Sequence, residues 1–181
     1  MSHRDRLFHL LRTLSYEQRE VTLASGRRSN FYIDCKQAIL TAEGHFLVGT
    51  LVFDLLKSVA PSVRAVGGLT MGADPIASAV ATLSWQREQP LDAFYIRKEP
   101  KAHGTQKWLE GDKRVLPGTE VAIVEDVCTS GGSAVKAIER ARLHGLVVKQ
   151  VVALVDREEG GREVVEKLAP MSALYTKRDF Q

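Results

Sequence analysis

Three short, wholly apolar runs separated by helix-like segments constrain the fold of this chain most strongly. The runs are residues 93–96 (AFYI), 121–124 (VAIV) and 151–155 (VVALV). Such runs are typical of strands buried on both faces in a helix-covered parallel sheet. Residues 132–144 lie between the last two runs and predict a helix that Gly145 stops. The sequence therefore predicts an α/β fold with a central parallel sheet flanked by helices, and ligands at the carboxyl ends of its strands.

The residues on either side extend the same layered pattern. Apolar side chains recur at helical spacing in residues 43–58, and a short strand is predicted at 63–66. The stretch GGLTMG then predicts a glycine-rich turn before a helix that Asp74 caps and Pro75 begins. A last strand is expected near residues 173–175.

The chain is predicted to form a single domain over residues 1–181, because no repeat, low-complexity tract or linker interrupts it. The first twenty residues predict an amphipathic helix, and residues 31–34 predict an extended segment. We expect residues 1–40 to build a small hood over the sheet.

Charge and cysteine content exclude several functional classes. The 25 basic and 22 acidic residues leave a net charge of +3, which is weak for a nucleic-acid-binding domain, so no nucleic-acid partner is expected. Cys35 and Cys128 are the only cysteines, too few for a disulfide framework or a thiolate zinc site, which makes the cytoplasm the expected compartment. No apolar stretch approaches membrane-spanning length, so no membrane partner is expected.

The stretch VAIVEDVCTSGGS, residues 121–133, combines an apolar strand, two carboxylates and a glycine-containing turn. Glu125 and Asp126 should stand at the sheet edge, while residues 129–133 should offer N–H groups and hydroxyls to a phosphate. A sugar phosphate fits both features. The stretch contains neither GxxxxGK[ST] nor GxGxxG, and the plainer alternative is an ordinary strand-turn-helix with exposed acids.

A second cluster, RKEPKAHGTQK over residues 97–107, lacks apolar periodicity and predicts a mobile cationic loop. Its basic residues are Arg97, Lys98, Lys101, His103 and Lys107. Positioned cations stabilise pyrophosphate as it leaves a ribose, and a histidine there can donate a proton. Taken alone, such a cluster is more often a solvated loop.

The two motifs together resemble those of the type I phosphoribosyltransferases. Residues 121–133 are similar to the family's phosphoribosyl pyrophosphate signature, and the spacing RKxxKxHG looks like the catalytic loop of the orotate phosphoribosyltransferases. The resemblance implies the type I phosphoribosyltransferase fold and transfer of ribosyl 5-phosphate from phosphoribosyl pyrophosphate to orotate. It also implies the cofactor Mg²⁺, held mostly through substrate and water, and a homodimer in which each loop closes over the partner's site.

The same resemblance implies roles for single residues. It assigns catalysis to Lys101, His103 and Asp126. It assigns orotate binding to Thr129 and to Arg157, whose guanidinium can clamp a carboxylate. The residues that it implies in phosphoribosyl pyrophosphate binding are Arg97, Lys98, Lys101, His103, Glu125, Asp126, Val127, Cys128, Thr129, Ser130, Gly131, Gly132 and Ser133.

The chain departs from the family pattern near the pyrophosphate. Some members place Tyr-Lys in the turn where this chain has Met71 and Gly72, and some have a lysine where this chain has Ala24. The chain is therefore expected to depend more heavily on its cationic loop. Phe31 and Tyr32 stand where the family lays aromatic residues against the pyrimidine, although core packing explains them equally well.

Three other functions remain open on the sequence alone. They are a phosphoribosyltransferase for a purine base, a noncatalytic regulator of the same fold, and a nucleotide-binding module of another kind. A purine enzyme has no need of a cation at Arg157, and a regulator would bind phosphoribosyl pyrophosphate without releasing pyrophosphate.

Overall fold

The computed structural model describes residues 1–22, 28–100 and 108–181. Its strands are β1 (Tyr16–Glu17), β2 (Val21–Thr22), β3 (Arg28–Ser29), β4 (Tyr32–Ile33), β5 (Ala65–Leu69), β6 (Asp92–Ile96), β7 (Leu109–Glu110), β8 (Glu120–Cys128), β9 (Val147–Asp156) and β10 (Met171–Thr176). Its α-helices are α1 (His3–Leu10), α2 (Lys36–Ile39), α3 (Ala42–Val59), α4 (Asp74–Gln86), α5 (Gly132–Leu143) and α6 (Gly161–Glu166). A π-helical turn, Leu11–Ser15, continues α1, and a 3₁₀ turn, Lys177–Phe180, follows β10.

The central sheet has the strand order β10-β9-β8-β5-β6-β7. All neighbours pair in parallel except β6 and β7, which are antiparallel. This arrangement confirms the predicted α/β fold. The chain passes outward from β5 in one direction to β6 and in the other to β8, so the strand order reverses between β5 and β8. In open parallel sheets, ligands bind at the carboxyl ends of the strands at such a reversal.

Apolar side chains cover both faces of the sheet. On one face, Val124 and Leu154 pack in a cluster with residues of α3 and α4, and this cluster also takes in Leu7, Leu11 and Phe31 of the hood. On the other face, residues of β8 and β9 pack against α5 and α6. The hood therefore shares a core with the sheet, while the single-domain organisation stays a prediction.

The predicted strand at 63–66 lies two residues too early, because β5 runs from Ala65 to Leu69 and includes Gly67 and Gly68. A Cβ on Gly67 would lie 2.1 Å from the carbonyl oxygen of Phe94 on β6. The glycines thus serve the close approach of neighbouring strands, and the turn begins only after Leu69.

The strand β8 also continues through the acidic pair to Cys128 instead of ending there. No helix among the described residues has the length and apolar character needed to cross a bilayer.

Candidate active site

Two adjoining cavities lie where the strand order reverses, at the carboxyl ends of β5 and β8. The larger has a volume of about 270 Å³. Its walls come from the hood, from the turn after β5, and from β8 and α5. The lining residues are Lys36, Leu69, Thr70, Met71, Gly72, Lys98, Glu125, Asp126 and Ser133. The peptide bond between Thr70 and Met71 is cis.

The smaller cavity, about 100 Å³, lies over the start of α5 and is lined by residues 127–134 together with Glu125. Gly131 precedes the helix with a φ of 78°, a left-handed conformation that favours glycine. Among the described residues no side chain caps this helix start. The first N–H groups of a twelve-residue helix therefore point to this cavity with the positive end of its dipole, as phosphate binding requires. The sequence analysis predicts phosphate binding at these same residues, and that role stays a prediction.

Glu125 and Asp126 lie side by side on β8 and are 7% and 9% exposed. Burial raises the pKa of Glu125 to about 9, and the neighbouring Asp126 raises it further through its charge and a shared hydrogen bond. Glu125 is therefore protonated near neutral pH. The pair is not the exposed acidic surface of the plainer sequence alternative.

Lys36 is a cavity residue that the sequence reasoning missed. Its Nζ lies 2.7 Å from Oδ1 of Asp34 and 3.4 Å from Oδ2 of Asp126. Burial opposes the charged form, but these two carboxylates outweigh it and raise the pKa of Lys36. The adjacent thiol of Cys35 donates to the backbone carbonyl of Asp126 at 3.7 Å. The corner of the hood formed by residues 34–36 is thus fastened to the acidic pair.

Arg157 follows β9 at the same edge and is 7% exposed. Its Nη2 donates to the backbone carbonyl of Phe31 at 3.0 Å and lies 3.1 Å from a carboxylate oxygen of Glu159. Its guanidinium also lies 5.4 Å from the centre of the Phe31 ring. The guanidinium is therefore positioned beneath the hood, close to the backbone of the segment predicted to meet the pyrimidine.

The two aromatic candidates differ in their surroundings. Phe31 is 2% exposed and packs against Tyr16 and Phe180, which favours a packing role for its ring. Tyr32 is half-buried, and its ring lies 4.0 Å from the guanidinium carbon of Arg19.

The cationic segment is described only at its two ends. Lys98 lines the larger cavity, while its part in phosphoribosyl pyrophosphate binding stays a prediction. Arg97 does not line either cavity in the described structure, and its Nε instead donates to Glu110 at 2.7 Å. The predicted residues Lys101, His103 and Lys107, and also Ala24, lie outside the described residues.

The donor set of the larger cavity suits a hard divalent cation carried by a phosphate ligand. Glu125 and Asp126 offer carboxylate oxygens to it. Asp74, at the start of α4, is not among the described residues that line this cavity, although its buried Oδ1 has no hydrogen-bond partner in the described structure and burial raises its pKa. No three His, Cys, Asp or Glu side chains in the described ranges are grouped to hold a metal. This set fits Mg²⁺ bound largely through its ligand's oxygens and water.

Comparison with known proteins gives matches over nearly the whole chain. An orotate phosphoribosyltransferase of Sorangium cellulosum is 52% identical over 180 residues, which cover 99% of this chain and 93% of that protein. The crystal structure of Mycobacterium tuberculosis orotate phosphoribosyltransferase with Fe(III) dicitrate matches with a TM-score of 0.85 and 36% identity, over 99% of each chain. The same enzyme in complex with 5-phospho-α-D-ribosyl 1-diphosphate matches with a TM-score of 0.81 and 33% identity, again over 99% of each chain. No protein-family model matches the chain.

Proposed function

Since this chain belongs to the orotate phosphoribosyltransferase family, we propose that the two cavities at the reversal of strand order form its active site. The enzyme is a pentosyltransferase that transfers ribosyl 5-phosphate from phosphoribosyl pyrophosphate to orotate. The products are orotidine 5′-monophosphate and pyrophosphate, within pyrimidine biosynthesis. The observation that carries the placement is the uncapped start of α5 directly beside the buried Glu125–Asp126 pair.

The 5-phosphate is bound by residues 127–133 at the start of α5. Backbone N–H groups and the hydroxyls of Thr129, Ser130 and Ser133 supply donors, and the helix dipole favours the anion. The ribose then lies over Glu125 and Asp126, because the two cavities adjoin at Glu125 and Ser133. Carboxyl groups at that position accept from the ribose hydroxyls and orient the sugar.

The reaction breaks the bond between carbon 1 of the ribose and the pyrophosphate oxygen, and a ring nitrogen of orotate attacks from the opposite face and releases its proton to water. Carbon 1 becomes cationic in between, and the carboxylate of Asp126 stabilises that charge. Lys98 contributes positive charge toward the leaving pyrophosphate from the cavity wall, and Arg97, which pairs with Glu110 in the described structure, is assigned to the pyrophosphate on the sequence resemblance. Lys101 and His103, which lie outside the described residues, are assigned to the same task on the sequence resemblance alone.

Mg²⁺ would be held by Asp126 and Glu125, directly or through water, and it would neutralise the phosphate oxygens of the bound substrate. Glu125 must lose its proton to act as a ligand, which the bound cation favours.

Orotate binding is assigned to Arg157 and Thr129. Orotate carries a carboxylate, and a guanidinium that already lies beneath the hood can hold that group with two parallel hydrogen bonds. Purine bases carry no carboxylate for this cation to neutralise.

Arg157→Ala tests this assignment. We expect the KM for orotate to rise by about a hundredfold, since a buried charge-assisted pair is lost, while the KM for phosphoribosyl pyrophosphate changes little. The measurement follows the loss of orotate absorbance with Mg²⁺ and phosphoribosyl pyrophosphate. Arg178→Ala is the matched control, because Arg178 is 83% exposed on the same edge and pairs only with Glu158 in the described structure.

The proposed function itself is wrong if the unmodified chain consumes adenine or guanine but leaves orotate unchanged. Arg157→Lys is measured alongside, because it keeps the charge while losing the paired geometry and should recover only part of the affinity.

The homodimer and the compartment remain proposals. The dimer rests on the loop motif, which the resemblance places over a partner's active site. A reducing cytoplasm suits two cysteines that are both free and buried.

A further inference from the structure

The larger cavity combines two lysines with two acidic residues, and the lysines come from opposite sides. Lys98 follows β6, whereas Lys36 begins α2 in the hood. The turn after β5, which forms the floor between them, contributes Thr70, Met71 and Gly72 and no charged side chain. A diphosphate in this cavity needs cations, and the turn supplies none.

The geometry around Gly72 explains why a longer side chain is unsuited to this turn. A Cβ built on Gly72 would lie 2.4 Å from Oδ1 of Asp126, far inside van der Waals contact. Any side chain at position 72 would therefore displace the carboxylate. A cation at position 72 would therefore require the Asp126 carboxylate to move, whereas a cation from the hood reaches the cavity with that carboxylate in place.

Lys36 has the reach and the free bonding capacity for that role. An ammonium group has three N–H donors, and among the described residues Lys36 has two acceptors, Asp34 at 2.7 Å and Asp126 at 3.4 Å. The side chain is 35% exposed and lines the cavity. One donor therefore remains for a ligand oxygen, and the positive charge offsets the repulsion between Asp126 and an anionic ligand.

We propose that Lys36 is a further substrate-binding residue of this enzyme, which reaches from the hood to the diphosphate of phosphoribosyl pyrophosphate and supplies the positive charge that the Met71–Gly72 turn lacks. This inference rests on the proposed function of the cleft. It extends that function by assigning part of the diphosphate site to the hood.

The test compares Lys36→Met, Lys36→Arg and Lys57→Met with the unmodified enzyme. Lys57 is a matched control, because it lies in the last turn of α3 with its Nζ 5.3 Å from the Phe53 ring and lines neither cavity. Calorimetric titration in Mg²⁺ buffer gives the Kd for phosphoribosyl pyrophosphate and for inorganic pyrophosphate. Steady-state rates give kcat and both KM values.

We expect Lys36→Met to weaken both ligands by about tenfold or more, as loss of a charge-assisted hydrogen bond should. The KM for orotate at saturating phosphoribosyl pyrophosphate should stay within about twofold. Lys36→Arg should restore most of the affinity, and Lys57→Met should leave it unchanged.

Unchanged affinity for pyrophosphate in Lys36→Met overturns the proposal, as does equal weakening by Lys36→Met and Lys36→Arg, which would mean that Lys36 only packs the hood. Thermal melting of each variant identifies general unfolding. These outcomes are distinct from failure of the proposed function, which would appear as an unmodified enzyme that binds pyrophosphate normally and does not consume orotate.

Discussion

Glu125 has a strongly raised pKa, and this makes the stability of the folded protein depend on pH. Its pKa is raised to about 9 by burial and by Asp126, so the folded protein holds a proton that the unfolded chain releases near the ordinary carboxyl pKa. Between those two pKa values the folded state binds more protons, and the free energy of unfolding must fall as pH rises.

Glu125→Gln removes the titrating group, so the free energy of unfolding should no longer fall with rising pH on account of position 125. We expect the variant to be more stable than the unmodified protein at pH 8.5 by about 2 kcal/mol or more, with a much smaller difference at pH 5. Urea unfolding at the two pH values measures it. Glu139→Gln, at an exposed position of α5, should show no such dependence on pH. A stability difference that is the same at both pH values would contradict the raised pKa.

Sequence analysis identifies the site residues that lie next to one another along the chain. Glu125, Asp126 and the loop after them form one strand-turn-helix, so their meeting at the sheet edge follows from local structure. Lys36 is different, because its importance depends on a contact with Asp126 that spans 90 positions. A single lysine in a mixed-charge segment gives no local signal of that contact.

At the scale of elements, α5 connects the phosphate loop with the two ends of the cationic segment. Arg140 of α5 donates to the backbone carbonyls of Arg97 and Lys98, the latter at 3.1 Å, and its guanidinium carbon lies 4.0 Å from the centre of the Trp108 ring. The helix whose start is proposed to bind the phosphate therefore also contacts both described ends of the cationic segment.

Arg140→Met should disturb those ends and lower kcat/KM by about tenfold, with little change in thermal stability. Arg142→Met serves as the control, because Arg142 lies on the same helix and donates to the carbonyl of Leu168 instead. Steady-state kinetics and thermal melting of both variants measure the effect. An equal loss in Arg142→Met would show that the helix as a whole, and not this contact, is responsible.

Strand boundaries follow from the sequence only where apolar side chains mark them. The apolar core of β8 is found directly, but its continuation through Glu125 and Asp126 to Cys128 is hidden by the charges. For β5 the error arises because Gly67 and Gly68 read as turn residues, whereas their lack of a side chain serves strand packing. Tertiary contacts set the ends of both strands, and the local sequence pattern does not show those contacts.

At the scale of the whole molecule, the proposed sharing of active sites makes a stoichiometric prediction. Lys101→Ala and Asp126→Asn subunits should each be inactive alone, because each lacks one component of every site. If the cationic loop acts across the dimer, a mixed dimer has one site with both components intact. Random reassociation of equal amounts should therefore restore about a quarter of the unmodified activity.

Refolding the two variants together, followed by the orotate assay, measures this recovery, and each variant refolded with itself is the control. Sedimentation of the unmodified protein reports the oligomeric state independently. Absence of recovery from a mixture that sediments as a dimer would place the loop in its own subunit's site.

The fastening of residues 34–36 to Asp126 has a consequence for how the amino-terminal region behaves during turnover. Lys36 both pairs with Asp126 and is proposed to bind the substrate. A bound diphosphate therefore adds a third contact between the hood and the sheet, beside those that Cys35 and Lys36 make with Asp126. Local opening of the hood must then break contacts with the substrate as well as with the sheet. The free energy of this opening therefore rises by the binding free energy of the substrate contacts that are lost. Substrate and amino-terminal segment thus hold each other in place, and the departure of pyrophosphate is the event that loosens both.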